Sequence, residues 1–204
     1  MKKDELLKGI AETGYNVGFG AKKHFATFDI VDKTNGRIGL MSIAIGIFSL
    51  VFEVLSHKIL SASIATLGVI GLYILAYEKD KQTYCDIGKQ LNEIFLALGL
   101  LYLRVKSEDK EENLIIYEYE LLNHRKKYNQ IGLSKQIFLS DWYAHYKFFQ
   151  QTQIEWIDEQ KSFTYRDKIP LSARVTILIG IIFSLFLIIW LSCQFSMPEC
   201  LRFL

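Results

Sequence analysis

The sequence is poor in proline, cysteine and net charge, and each shortage excludes a class of protein. Two prolines among 204 residues, with no low-complexity segment, indicate a chain that is ordered over most of its length. The 24 Lys and Arg residues nearly balance the 22 Asp and Glu residues. Because a nucleic-acid binder needs a strongly basic surface, we expect no direct binding of nucleic acid. The N-terminal MKKDELLKGI carries acidic side chains and no apolar core, so it does not predict a cleaved signal peptide.

Motifs for metal binding and catalysis are also missing. The three cysteines form no CxxC pair, and the four histidines are scattered without an HExxH motif. The chain has no GxSxG elbow either. We therefore expect no metal, no other cofactor and no enzyme activity. Cys85 is interpreted as a free thiol, whereas Cys193 and Cys200 can pair only if the C-terminus faces an oxidising compartment.

Long apolar runs are what the chain has instead. Residues 38–52 are uncharged and their apolar pattern continues to Leu55, residues 59–77 are uncharged, and residues 175–198 contain no charged side chain. A bilayer core of about 30 Å is crossed by roughly 20 helical residues. Three such runs leave too little other protein to bury them. The sequence predicts an all-α membrane protein with an N-terminal transmembrane hairpin, a cytosolic helical region and a third, C-terminal transmembrane helix.

The distribution of Lys and Arg predicts how the chain crosses the membrane. Residues 1–37 carry seven of them and residues 78–174 carry fifteen, whereas Lys58 and Arg202 are isolated. Since positive residues remain cytoplasmic, we expect the inner membrane, a cytoplasmic N-terminus and an extracytoplasmic C-terminus. The expected segments are a cytosolic amphipathic segment (1–37), the hairpin (38–77), the cytosolic helical region (78–170), the third transmembrane helix (171–193) and a short outer tail (194–204).

Helical periodicity runs through the cytosolic region. Apolar residues from Ile87 to Val105 recur at spacings of three and four, which predicts an amphipathic helix. The segment SEDKEEN, residues 107–113, predicts a turn and then an acidic helix start. The following helix is expected to present an apolar face made by Ile115, Tyr119 and Leu122.

The second half of this region contains a further turn and a further helix. The chain is expected to turn near Gly132, and Ser140 with Asp141 is expected to cap the helix that follows. That helix is predicted to carry the aromatic residues Trp142, Tyr146, Phe149 and Trp156. Pro170 suits the first turn of the third span, where a missing backbone N–H costs little.

The stretch ETGYNVGFGAKKHF, residues 12–25, places three glycines beside two lysines and resembles a phosphate loop at first sight. A phosphate loop needs a preceding strand, and the glycine spacing here matches neither GxxxxGK[ST] nor GxGxxG. We expect instead that the glycines allow close helix approach or a helix break near the membrane surface. Lys22, Lys23, His24 and Phe25 are then predicted to lie at the headgroup level.

A family resemblance rests on two segments and on the topology. The segment ETGYNVGFGAKKHFATFDIV, followed at once by a tight two-helix hairpin and a cytosolic helical region, resembles the SLATT family of bacterial conflict systems. DKIPLSARV, residues 167–175, is also similar to that family. The resemblance implies a membrane-disrupting effector that is encoded beside a sensor, such as a cyclic-oligonucleotide synthase or a reverse transcriptase. The third span departs from the family's two-span pattern.

Small residues follow one face of two of the predicted spans. In the first span, steps of three and four residues join Gly39, Ser42, Gly46, Ser49 and Glu53. Small residues let helices approach closely in lipid. Glu53 either reaches the outer headgroups or faces a water-filled path, because an ionisable group within a span is costly elsewhere.

The third span carries a similar stripe at four-residue steps. Its members are Ser172, Thr176, Gly180 and Ser184. This pattern predicts that the third helix packs against another helix, in the same chain or in another one.

Two functions are compatible with these patterns. In the first, the protein self-associates in the bilayer as a homo-oligomer and permeabilises the membrane when a sensor encoded nearby triggers it, by a shift between a closed and an assembled state. In the second, it is a membrane-anchored adaptor whose cytosolic helices recruit a partner and whose spans never conduct.

Overall fold

The computed structural model describes residues 2–52, 58–132 and 135–196, and within these ranges the chain is helical with no strand. The predicted all-α class is therefore confirmed for the described residues. The α-helices are α1 (Lys3–Ser49), α2 (Lys58–Leu75), α3 (Lys81–Ser107), α4 (Leu114–Gln130), α5 (Ser140–Gln151), α6 (Glu155–Lys161) and α7 (Leu171–Ser196). Short 3₁₀ turns at Glu78–Asp80 and Glu111–Asn113 precede α3 and α4.

Helix α1 is continuous over 47 residues, or about 70 Å at 1.5 Å per residue. Its first part packs against α3, α5 and α6 and buries side chains such as Leu6, Ile10 and Val17. The glycine stretch does not break this helix. A methyl group at Gly14 would overlap the Trp156 ring, and one at Gly18 would lie 2.6 Å from the Phe95 ring. Of the two alternatives for these glycines, close helix approach is the one that occurs.

Helix α3 matches the amphipathic helix that the spacing predicts. Leu91, Leu98, Leu101 and Val105 are buried in the main core against α1. The helix ends at Ser107, inside the predicted turn, and α4 follows the acidic 3₁₀ turn.

Helix α4 exists as predicted, and the apolar face expected on it is exposed. Ile115 and Tyr119 are 73% and 75% exposed, whereas Leu114 and Leu121 are buried. The side chain of Arg125 decides part of this orientation, because its guanidinium donates to Thr13 Oγ1 at 2.9 Å and to Gly9 O at 3.2 Å.

Helix α5 begins at Ser140 as predicted, but without a side-chain cap from Ser140 or Asp141. The residue before it, Leu139, is left-handed at φ 68°. The helix ends at Gln151, so the expectation that it also carries Trp156 is wrong. Trp156 belongs to α6, after a turn in which Thr152 Oγ1 donates to Lys147 O at 2.9 Å.

Two helices, α2 over residues 58–75 and α7 over residues 171–190, are long and apolar enough to cross a membrane. The first predicted span is the C-terminal part of α1, which the structure describes as helix up to Ser49. Glu53 and most of the hairpin tip lie outside the described residues, as do residues 197–204 of the predicted tail. The described residues thus bear out two of the three spans by length and composition. Helix α7 belongs to a second compact unit, residues 164–204, which begins after Phe163.

Candidate membrane hairpin and the cluster at its base

The C-terminal part of α1 and most of α2 expose large apolar side chains. Leu40 and Ile43 on α1 are 70% and 64% exposed, and Leu72 on α2 is 69% exposed. In α2 only Ile74 is buried. Contiguous apolar surface on this scale marks contact with a membrane or with another protein. We call these two segments, residues 38–52 and 58–75, the hairpin.

Charged residues stop where this apolar surface begins. Arg37 is the last charged residue of α1, and Glu78 is the first one after α2. Lys81, the first residue of α3, links the two sides, because its Nζ lies 3.3 Å from Asp32 Oδ1 on α1 and 2.6 Å from Glu78 Oε1. This charged boundary is what the edge of a hydrocarbon layer requires, because ionised groups are strongly disfavoured within it.

The small-residue stripe of α1 lies partly beside α2 and partly in the open. The half-buried positions Ile38, Ser42, Ile45 and Ser49 recur every three or four residues and indicate the side that faces α2. A methyl group added at Gly39 or Gly46 would meet no atom within 4 Å. Ser49 Oγ donates to Gly46 O at 2.7 Å, within the helix itself. The packing and pore roles of this stripe remain predictions. Glu53 lies outside the described residues, so its place on the stripe is also a prediction.

The stripe of the second unit is exposed. Its four residues, Ser172, Thr176, Gly180 and Ser184, all lie on the accessible surface of α7. A role in helix packing stays a prediction.

Lys22, Lys23, His24 and Phe25 lie among the bundle helices. Lys23 Nζ is 2.8 Å from Asp141 Oδ1 on α5. Phe25 fills the space above Gly88 of α3, where an added methyl group would lie 2.8 Å from its ring. Lys22 lies 5.9 Å from the centre of the Phe25 ring. Their assignment to the membrane surface is not tested by these contacts and stays a prediction.

His24 is the most buried of these four side chains, at 5% exposure. Its ring centre lies 6.0 Å from that of Tyr84. Burial, with a smaller contribution from the charge of Lys23, lowers the pKa of His24 to about 4. The imidazole is therefore neutral at physiological pH.

A tyrosine cluster, made of Tyr73, Tyr77 and Tyr84, lies at the base of the hairpin and was not anticipated from the sequence. The hydroxyls of Tyr73 and Tyr77 lie 3.3 Å apart, and Tyr84 is fully buried. Burial, followed by the nearby charge of Asp80, raises the pKa of Tyr84, so its hydroxyl remains a donor. The sequence shows the seven-residue spacing from Tyr77 to Tyr84, but no neighbouring residue in the sequence indicates what the two hydroxyls contact.

An ion cluster adjoins this base on α1. The side chains of Lys33 and Lys147 both contact the carboxylate of Asp29, and the Asp29–Lys147 pair is only about 15% exposed. Burial by itself raises the pKa of Asp29, but the hydrogen bonds from Lys147 and Lys33 outweigh it and hold that pKa below its ordinary value. The cluster ties α5 to α1.

Two further observations concern the bundle, its possible metal ligands and one groove. No group of three or more His, Cys, Asp or Glu side chains that could hold a metal ion occurs among them. A groove of about 910 Å³ between α3 and α6 is walled by Tyr102, Leu103 and Trp156 and crossed by the Lys106–Glu159 ion pair.

Comparison with known proteins identifies one relationship. A family model described as SMODS and SLOG-associating 2TM effector domain 6 matches residues 1–177. No curated protein and no solved structure matches the chain.

Proposed function

The chain belongs to the SLATT family, the SMODS- and SLOG-associating two-transmembrane effectors of conflict systems, and we propose that it self-associates and permeabilises the inner membrane when a partner sensor triggers it. The observation that carries this proposal is the exposed hairpin, which a continuous helix joins to a well-packed bundle. A soluble function would leave that apolar surface without a partner. The proposal includes an effector role in anti-phage defence without catalysis.

The hairpin supplies the two spans of the family's domain in this proposal. Because the family match ends at residue 177, most of α7 lies beyond it and would be an added third span. The Lys and Arg counts support a cytoplasmic N-terminus and an extracytoplasmic C-terminus. A phosphatase fused after Leu204 should then be active, and one fused within residues 107–113 should be inactive. The reverse result would contradict this orientation.

Self-association is supported by the open edge of the α1 stripe. Gly39 and Gly46 have no neighbour within 4 Å of an added methyl group, so the chain does not use their small size internally. In lipid, small residues favour close helix contact, and a second copy offers the matching surface. The active state would be an assembly in which this edge is covered.

Permeabilisation is tested by membrane potential. Expression of the protein with its sensor and trigger should collapse the signal of a potential-sensitive dye within minutes, whereas expression without the trigger should not. The matched control is the full-length variant with Leu40→Arg and Leu72→Arg. These substitutions should prevent insertion of the hairpin, because charges are costly in the bilayer core. Unchanged potential at every expression level and trigger dose would contradict pore formation.

A second function, membrane-anchored adaptor, is favoured by one observation. The bundle exposes Leu96, Leu100 and Leu103 along α3, at 58%, 64% and 58%. Ile115, Tyr119 and Leu122 make another exposed apolar face on α4. If the protein recruits a cytosolic partner without conducting, polar substitutions on these faces should abolish its cellular effect while the membrane potential never changes.

A further inference from the structure

The segment between α4 and α5, residues 135–139, contacts the tyrosine cluster through its backbone. Tyr84 Oη donates to Lys135 O at 2.8 Å, and Tyr77 Oη donates to Gln136 O at 3.5 Å. The Phe138 N–H in turn donates to Tyr73 Oη at 3.4 Å. All three tyrosines therefore bind one short stretch of backbone.

Side chains strengthen the same contact. Ile137 is 3% exposed and packs in the second core with Val31, Ile74 and the rings of Tyr77 and Tyr84. Thr27 Oγ1 on α1 donates to Gln136 Oε1 at 2.5 Å. The ammonium group of Lys135 lies 4.5 Å from the centre of the Tyr77 ring. The segment thus joins both helices of the hairpin, α1 from one side and the end of α2 from the other.

The backbone of this segment is strained at its end. Leu139 adopts φ 68° and ψ −3°, a left-handed conformation that glycine adopts readily but that is unfavourable for a bulky residue such as leucine. Its carbonyl accepts the N–H of Tyr143 at 3.1 Å, which begins α5. Strain of this kind persists only where neighbouring contacts enforce it, and it is released when those contacts break.

Helix α2 depends on these contacts for its position. Ile74 is its one buried residue, and it lies beside the tyrosine cluster in the second core. Further from the base, a methyl group added at Gly71 would lie 3.4 Å from Asn35 Oδ1, and one added at Gly68 would meet no atom within 4 Å. Burial on α2 is therefore greatest at the base, beside the tyrosine cluster.

We propose that residues 135–139 are a latch that holds the hairpin in its inactive arrangement, and that activation withdraws this latch from the tyrosine cluster. The inference rests on the proposed function and adds its regulatory element. With the latch bound, the tyrosine hydroxyls are satisfied and α2 is fixed against α1. With the latch withdrawn, Leu139 relaxes, Ile137 leaves the second core, and α2 is free to turn and pack against another copy. The two arrangements are the states between which a sensor's signal shifts the population.

The latch is tested first without any conduction assay, by hydrogen exchange of the purified full-length protein in detergent. Tyr84→Phe removes only the hydroxyl that binds Lys135 O, and it should speed amide exchange in residues 136–140 on the order of tenfold. Tyr119→Phe removes a hydroxyl from a side chain that is 75% exposed, and it should leave the rates unchanged. Equal rates in wild type and Tyr84→Phe would overturn the latch.

The position of the hairpin is tested next by spin labels. In a chain with its three cysteines changed to serine, labels at Met41→Cys and Leu72→Cys report the α1–α2 distance, and Tyr84→Phe should broaden the distribution of that distance.

The latch itself is tested by a covalent lock. In a cysteine-free chain, Thr27→Cys with Gln136→Cys is bridged by a short, membrane-permeable bis-maleimide linker, whose thioether bonds cytosolic reductants do not cleave. In cells with the sensor and trigger, the bridged protein should fail to depolarise the membrane, whereas the same pair capped by a mono-maleimide should depolarise it. Depolarisation by the bridged protein equal to that of the unbridged pair would overturn the proposal.

The outcomes separate the latch from the function on which it rests. Faster exchange and a broadened distance in Tyr84→Phe, with no depolarisation by any variant, would reject membrane permeabilisation and leave the latch supported as a conformational element. Depolarisation by wild type that neither the bridge nor Tyr84→Phe alters would reject the latch and leave permeabilisation supported.

Discussion

Helix α1 uses glycine in opposite ways in its two halves. In the bundle, a methyl group at Gly14 would overlap Trp156, and at Gly18 it would press on Phe95. In the hairpin, Gly39 and Gly46 have no neighbour within 4 Å of such a methyl group. On the same helix, the space beside glycine is occupied by other side chains of the chain at one end and is unoccupied by them at the other. The glycines of the bundle are covered by side chains of the same chain, whereas those of the hairpin have no such neighbour.

The largest effect is expected from breaking the bundle half. Gly14→Leu forces a side chain into the volume of the Trp156 ring and should lower the free energy of unfolding by about 3 kcal/mol, the upper range for overpacking. Urea denaturation in detergent, followed by tryptophan fluorescence, measures it. Gly46→Leu is the matched change in the hairpin and should change the free energy of unfolding by less than about 0.5 kcal/mol. Equal losses in the two variants would remove the distinction between the halves.

A large effect on assembly, not on folding, is expected from Gly46→Leu. A leucine at a close helix crossing costs about 1–3 kcal/mol per contact, and a homo-oligomer repeats that cost in every subunit. The crosslinked oligomer should shrink and depolarisation should fall. Ala44→Leu adds a similar volume about 160° around the helix axis and serves as the control. If both variants assemble like wild type, the open edge is not an interface.

Acid should weaken the bundle half selectively. His24 has a pKa of about 4 when buried and about 6.5 when unfolded, so the unfolded chain binds more protons between these values. Its contribution to stability is complete above about pH 6.5 and is lost as the pH falls towards 4, by roughly 2–3 kcal/mol. Urea midpoints at pH 7.5 and 4.5 measure this loss, and His24→Gln should reduce the difference. If His24→Gln leaves the difference intact, other groups cause it, such as the half-buried His145, whose pKa is also lowered by burial.

The smallest effect is expected at the far end of the hairpin. If Glu53 faces a conducting path, a ring of its carboxylates should favour cations. Glu53→Gln should then shift the reversal potential in a reconstituted bilayer while oligomer size and the free energy of unfolding stay unchanged. An unaltered reversal potential would leave Glu53 at the outer headgroups.

Much of the helical architecture follows from local pattern. The Ile87–Val105 periodicity located α3, the acidic turn located the start of α4, and Pro170 located the start of α7. These signals succeed because helical periodicity and helix ends depend on residues within one or two turns. The buried face of α4 did not follow from local pattern, because Ile115, Tyr119 and Leu122 are as periodic as the residues that are buried. The hydrogen bonds from Arg125 to Gly9 and Thr13 on α1 contribute to the choice of face.

Composition and order along the chain were enough to predict the helical class and the apolar helices α2 and α7, because the cost of exposing such runs to water depends on their length and not on their neighbours. What each glycine and tyrosine does was decided by tertiary structure alone. Nothing in the local sequence distinguishes the roles of Gly14 and Gly46. They differ because the Trp156 ring packs against Gly14 and no side chain of the described residues packs against Gly46. Tyr84 acquires its partner 51 residues away, at Lys135, when α1 brings the base of the hairpin and the start of α5 together. Contacts across such distances depend on how whole helices dock, and no local pattern encodes them.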